Sequence, residues 1–229
     1  MNSTTILDIS HVTLRFGGVT ALEDVSFTVQ SGDLFAIIGP NGAGKTSIFN
    51  CINGVYKPQK GSILFEGREL VGESPVNVAR QGVGRTFQNL GLFMNLNLID
   101  NLLLGRHLQM KTGFFSGALW WGRAKNEEII NRQKIEAIID LLELQPHRYQ
   151  SVGLLPYGIQ KRVELGRALA MEPRILLLDE PVAGMNLEET EDMARYILEI
   201  NNELGDSILL VEHDMAMVMD IADCVMALD

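Results

Sequence analysis

The sequence predicts an α/β fold: a parallel sheet with helices on both faces, a small antiparallel β subdomain and an inserted helical subdomain. Three observations predict it. Short apolar runs of strand type alternate with helical segments, which is the pattern of a parallel sheet with covering helices. One strand-to-helix junction, Gly39-Pro40-Asn41-Gly42-Ala43-Gly44-Lys45-Thr46, reads G-x-x-x-x-G-K-[ST]. From about Leu90 to Gln150 the composition turns helical, with few β-branched strand runs.

In order, Ile6 to Phe16 alternates apolar and polar residues as a half-exposed strand does, and Gly17-Gly18 turns it into a second strand, Ala21 to Gln30. Gly32 turns the chain into the apolar run Leu34-Phe35-Ala36-Ile37-Ile38. After the glycine-rich loop, Thr46 to Ile52 reads as a helix closed by Gly54. Ser62 to Gly67 is one arm of the antiparallel sheet, and Val83 to Phe87 a short strand. Asn126 to Leu144 is a helix that places Ile130, Ile135, Ile138, Leu141 and Leu142 near one face and stops before Pro146. Val163 to Met171 is another helix. Ile175 to Leu178 is a buried parallel-type strand. Glu188 to Leu204, closed by Gly205, is a long helix. Ser207 to Val211 is a strand, Met215 to Ile221 a helix and Cys224 to Leu228 a strand. The domain reading is a nucleotide-binding core with the β subdomain over 1–90, a helical subdomain over 91–160, and the remainder of the core over 161–229.

The chain has 229 residues, 46% of them hydrophobic, enough for one such domain with an insert. No apolar run approaches the roughly 20 residues that cross a bilayer, and Met1-Asn2-Ser3-Thr4-Thr5 lacks a signal-peptide layout. The expected place is therefore the cytosol, unless a partner holds the chain at a membrane. The net charge of −10 argues against a nucleic-acid binder. Cys51 and Cys224 make neither a disulfide framework nor a metal site, and both are expected to be buried thiols. Phe114 to Trp121 carries both tryptophans, as a membrane- or partner-facing loop or as an insert packing on the helical subdomain.

Glycines let the loop curl so that successive N–H groups face anionic oxygens, and the helix that follows adds the partial positive charge of its N-terminus. The expected ligand is a nucleotide that carries β- and γ-phosphates. It would be held by Gly39, Pro40, Asn41, Gly42, Ala43, Gly44, Lys45, Thr46 and Ser47, with Lys45 on the β- and γ-phosphates and the Thr46 hydroxyl on Mg²⁺. Asp179 and Glu180 stand at the C-terminal end of the Ile175 strand, where ligands bind in such sheets. Asp179 is the candidate Mg²⁺ ligand and Glu180 the candidate base for an attacking water. His213 follows the next strand and is placed to contact the γ-phosphate and orient that water. Gln88 is a further strand-end polar residue, a candidate ligand of Mg²⁺ and water.

With these parts in order, the chain resembles the ATP-binding subunit of an ABC transporter, a P-loop NTPase. The run is Phe16, Gly39–Thr46, Gln88, Leu155-Pro156-Tyr157-Gly158-Ile159-Gln160, Leu178-Asp179-Glu180-Pro181, Ala183-Gly184-Met185-Asn186 and His213. Within that family it is most similar to the ATPases of branched-chain amino-acid importers, through Gly84-Arg85-Thr86-Phe87-Gln88-Asn89, the insert Arg106 to Lys125, Ala183-Gly184-Met185-Asn186 and Val211-Glu212-His213-Asp214-Met215. The resemblance implies ATP hydrolysis coupled to transport. It also implies adenine stacking on Phe16 with Val19 beside it, and a second ATP-binding subunit facing the first head to tail. Integral membrane permease subunits and an external substrate-binding protein complete the expected assembly, at the cytoplasmic face of the inner or plasma membrane. The family's signature reads Leu-Ser-Gly-Gly-Gln. Here Pro156 removes a hydroxyl and an N–H, so Tyr157, Gly158 and the following helix N-terminus are left to meet the ATP of the opposite subunit, with a weaker contact. Similar proteins usually continue beyond the last strand. The competing readings are an ABC-type ATPase of DNA repair or translation, a transporter ATPase for another substrate, and a small-molecule kinase.

Overall fold

The computed structural model describes residues 4–86, 91–108 and 123–229. The chain divides into two units, one of residues 1–88 with 174–229 and one of residues 89–173.

In the first unit, the described residues form two sheets. The antiparallel one has the order β2-β1-β4-β5, from β1 (Thr5–Phe16), β2 (Val19–Gln30), β4 (Lys60–Phe65) and β5 (Arg68–Glu69). The parallel one has the order β6-β7-β8-β3-β9, from β3 (Leu34–Ile38), β6 (Val83–Arg85), β7 (Ile175–Asp179), β8 (Ser207–Val211) and β9 (Cys224–Ala227). Strands β7 and β8 are buried along their whole length. A strand covered on both faces has no polar side to show, which is why both read as continuous aliphatic runs. Helices α1 (Lys45–Ile52), α2 (Pro75–Arg80), α6 (Leu187–Glu199) and α7 (Met215–Ile221) belong to the same unit. The apolar side of α1, with Ile48, Phe49 and Ile52, shares one core with Leu7, Ile9 and Phe65 of the antiparallel sheet and Ile37, Leu177 and Leu209 of the parallel one.

The second unit holds α3 (Leu98–Gly105), α4 (Arg123–Leu141) and α5 (Tyr157–Leu169). Helix α4 turns Asn131, Ile135 and Ile139 inward, and Leu142, just past its end, is buried on the same side. Ile130, expected on that face, is exposed, because the buried stripe is set one residue later and Asn131 occupies its first position. Helix α5 begins at Tyr157, six residues before the expected start, so the expected 160/161 boundary falls inside it.

Three elements were not anticipated singly: β5, α2 and α3. Helix α2 is short, but its start carries a physical signal. Ser74 caps it through its hydroxyl and Pro75 occupies the first turn. Helix α6 passes into a π-helical turn over Ile200–Leu204 before Gly205. Cys51 is buried as expected, whereas Cys224 is exposed, on a strand, β9, whose side chains are mostly uncovered among the described residues. The stretch Phe114–Trp121 and Gln88 lie outside the described residues.

Candidate nucleotide site

Strand β3 delivers the chain to the C-terminal edge of the parallel sheet, and residues 39–44 turn it into α1. The turn leaves a cavity of about 280 Å³ lined by Ala21, Asn41, Gly42, Gly44, Lys45, Thr46, Ser47 and Glu180. Gly44 needs to be glycine: its φ is +97°, and a Cβ there would stand 2.5 Å from the Ala21 carbonyl oxygen. Lys45 is only 6% exposed, and its Nζ donates to the carbonyls of Gly39 (2.7 Å) and Pro40 (3.0 Å). An ammonium group has three donors. Two of them brace the loop, which fixes the positive charge against the cavity.

Asp179 ends β7 and is fully buried. The neighbouring strand β6 brings Arg85 beside it, with Nη2 donating to Asp179 Oδ2 at 3.0 Å and Nη1 to Asn50 Oδ1 on α1 at 2.6 Å. One guanidinium thus joins the helix that follows the glycine loop to the strand that carries the carboxylates. The Asp179 N–H donates to Thr86 Oγ1 (3.4 Å).

Glu180 takes a left-handed backbone, φ +52°, and its N–H donates to the Val211 carbonyl at 2.9 Å. That turn carries its side chain to the cavity, where Oε1 lies 2.8 Å from His213 Nε2. Glu212, nearly buried, sets both strand exits. Its Oε1 accepts the Val182 N–H (3.0 Å) and its Oε2 the His213 N–H (2.8 Å). Asn186 closes the Ala183-Gly184-Met185-Asn186 turn by capping α6 in a reciprocal box with Glu189.

The expected residues therefore separate into groups. Lys45, Thr46, Ser47 and Glu180 meet at one cavity, with His213 on Glu180 and Asp179 behind them on β7. Phe16 and Val19 pair across the tip of the β1–β2 hairpin and are both exposed. Tyr157, exposed, and Gly158, buried, open α5 in the second unit. Asn50 escaped the sequence reading, and Arg85 and Glu212 entered it only within stretches that carry the resemblance, with no place in the site. The one signal was a charge at the end of an apolar strand run, in Arg85 and again in Glu212.

The donor set fits a triphosphate with a hard cation: a curled glycine loop with a fixed ammonium for phosphate, and a hydroxyl and a carboxylate oxygen of the class Mg²⁺ prefers.

Comparison with known proteins identifies the family. The family model for ABC transporters matches residues 22–183. The chain is 42% identical over 221 residues to the high-affinity branched-chain amino acid transport ATP-binding protein LivG of Salmonella typhimurium, covering 95% of this chain and 86% of that protein. It is 40% identical to the corresponding protein BraF of Pseudomonas aeruginosa, covering 98% and 88%. Among solved structures it resembles a nucleotide-free ATP-binding cassette from an ABC transporter (TM-score 0.83, 29% identity, 98% of this chain and 88% of that one). It is also similar to the ADP conformation of the ATP-binding cassette MJ1267 (TM-score 0.83, 28% identity, 99% and 88%). With a family model spanning most of the chain and relatives matched nearly end to end, the chain belongs to the ABC transporter family, as one of its ATP-binding cassettes.

Proposed function

We propose that this chain is the ATP-hydrolysing subunit of an importer for branched-chain or related amino acids. The observation that carries the catalytic part is the meeting of Lys45, Thr46 and Glu180 at one cavity, with His213 bonded to Glu180. The substrate class follows the names of the relatives LivG and BraF. The transported molecule itself is expected to touch other subunits.

In this reading the Gly39–Ser47 loop cradles the phosphates, Lys45 neutralises the β- and γ-oxygens, and Phe16, with Val19 beside it, stacks on adenine. Thr46, Asp179 and Gln88 would hold Mg²⁺, which would supply charge neutralisation for the phosphates. Glu180 takes the proton of the attacking water, and His213 holds the Glu180 carboxylate in place. Tyr157 and Gly158 meet ATP bound by the opposite subunit. ATP moves the pair only because it binds the closed arrangement better than the open one.

The partners are a second ATP-binding subunit, a distinct homologue or a second copy, and permease subunits that hold the pair at the cytoplasmic face of the inner or plasma membrane. A substrate-binding protein stands outside. No helix among the described residues is long and apolar enough to cross a membrane, so contact with permeases would be peripheral. The second unit offers a surface for it. Phe93, Met94 and Leu154 are exposed, and the Met94 carbonyl is pinned by Ser151 Oγ (2.8 Å) and the Gly153 N–H (3.0 Å).

The test uses Glu180→Gln with the native companion ATPase and ATP, read by sedimentation. A nucleotide-dependent pair is expected. Co-purification from the native membrane should bring down permease subunits. If ATP draws in no second cassette under these conditions, the transport-motor reading fails.

A further inference from the structure

We propose that Gln59 and Tyr56 are positioning residues for the base of the nucleotide, acting through the Phe16 ring. The inference rests on the reading of Phe16 as the adenine platform. Phe16 ends β1 and faces Val19 across the two-residue turn Gly17-Gly18, and it is 47% exposed. A ring so placed has rotational freedom to lose when a base stacks on it, and that loss subtracts from affinity.

The hairpin stem is supported on its second edge by β4, whose ladder with β1 ends at Thr13 and Lys60. The backbone N–H of Gln59 still reaches the Thr13 carbonyl at 3.0 Å. One step further toward the tip, the Gln59 side chain takes over. Its Oε1 accepts the Arg15 N–H at 2.8 Å, and its Nε2 donates to the Arg15 carbonyl at 3.3 Å. A primary amide presents the same donor and acceptor as a peptide group. Gln59 therefore extends the edge of β4 to the residue directly before Phe16. From the same turn, Tyr56 closes on the ring itself, with centroids 5.0 Å apart and planes at 76°, an edge-to-face contact. Neither residue lines the phosphate cavity. Their loss is thus expected on the base and not on the phosphates.

The test compares equilibrium binding of Mg²⁺-ATP and of Mg²⁺-tripolyphosphate, which has phosphates but no base, to the full chain. Phe16→Ala should weaken ATP about tenfold, in the range of base stacking on aromatic side chains. Gln59→Ala and Tyr56→Ala should each weaken ATP about threefold, as loss of an aromatic pair or of preorganisation does. All three should leave tripolyphosphate unchanged, and Tyr56→Phe, which keeps the ring edge, should bind both like the parent. If Phe16→Ala weakens ATP while Gln59→Ala and Tyr56→Ala do not, the positioning role is overturned and the adenine platform stands. Parallel weakening of ATP and tripolyphosphate also overturns it, since the substitutions then act on the phosphate loop. Unchanged ATP binding in Phe16→Ala removes the platform and the positioning role together.

Discussion

Glu180 and His213 follow adjacent parallel strands, β7 and β8, and their side chains meet at 2.8 Å, Oε1 to Nε2. The contact exists because Glu180 accepts a left-handed backbone, φ +52°, a conformation that costs a non-glycine residue about 1–3 kcal/mol. The bond from its N–H to the Val211 carbonyl holds it there. If the pair acts as one device, Glu180→Gln should lower ATP turnover of the assembled complex by about 10²–10⁴-fold with ATP binding retained. His213→Ala should lower it about 10²-fold through misplacement of the carboxylate. The double variant should be no slower than Glu180→Gln alone, since both residues serve one step. Steady-state turnover with a parallel binding titration checks this. Additive losses would mean that His213 acts independently of Glu180.

Gly42 and Gly44 both have positive φ, +92° and +97°, but their surroundings differ. A Cβ on Gly44 meets the Ala21 carbonyl oxygen at 2.5 Å and Leu22 Cδ2 at 2.8 Å, whereas one on Gly42 meets nothing within 4 Å. Gly44→Ala should therefore destabilise the fold by about 2–4 kcal/mol, strain and overpacking together. Gly42→Ala carries only the left-handed strain, about 1 kcal/mol, or some 2–4 °C in Tm. Its methyl group would enter the cavity, so its principal effect should be weaker ATP binding. Thermal melts with and without ATP separate the two.

The phosphate loop and the Asp179–Glu180 pair were legible because each is contiguous in sequence and framed by elements with clear periodicity. His213 was legible because it follows an unmistakable buried strand. The residues that brace them were not. Arg85 touches Asp179 across 94 positions, and that contact exists only because β6 lies beside β7, a neighbour relation that no local pattern encodes. Gln59 and Arg15 are 44 positions apart and meet where a strand ladder gives way to a side chain. Helix α2 is too short for its apolar period to show, and its Ser-Pro start passes for a turn. Cys224 was misplaced because an apolar strand run looks the same whether or not its faces are covered.

Pro156 caps α5 with φ −53° and ψ 151° and no side-chain bond, its carbonyl accepting the Gln160 N–H at 3.0 Å. Serine fits that extended backbone and adds a hydroxyl that can accept an N–H of the first turn. Pro156→Ser should stabilise α5 by about 1 kcal/mol. It should also raise ATP turnover of the assembled complex, if the contact across subunits is limited by the missing hydroxyl. A rise in Tm without a rise in turnover would confine the effect to the cap.

Asp206 precedes β8, and burial pushes its carboxyl up to about 6, where an unperturbed aspartate titrates near 4. Between those values the unfolded chain has lost the proton while the folded chain keeps it, so stability falls as pH rises from about 4 to 6 and stays reduced above. Water still reaches the group, and the penalty at pH 7, discounted for that screening, is about 1 kcal/mol. Asp206→Asn removes the ionisation. Its Tm should exceed the parent's by about 2–4 °C at pH 7, and the gap should close below pH 4. A gap that is constant with pH would place the effect in the amide's contacts and not in the charge.

Arg85 is the sternest test of how the site is held together. Its guanidinium bonds Asn50 and Asp179, lies 5.7 Å from the Phe49 ring centroid and is 9% exposed, beside a carboxylate that is fully buried. Removing one member of a buried ion pair costs about 3–5 kcal/mol, because the other charge stays behind in a poor solvent. Arg85→Met should lose that much in urea unfolding. Arg85→Met combined with Asp179→Leu should recover most of it, since two apolar side chains replace two charges. Recovery of stability without recovery of Mg²⁺-dependent ATP binding would separate the pair's two roles, the stability being restored by packing and the metal site lost with Asp179. A loss below about 1 kcal/mol in Arg85→Met would instead place the pair in the range of solvent-screened surface bridges, and α1 and β7 would then be held together by the apolar core alone.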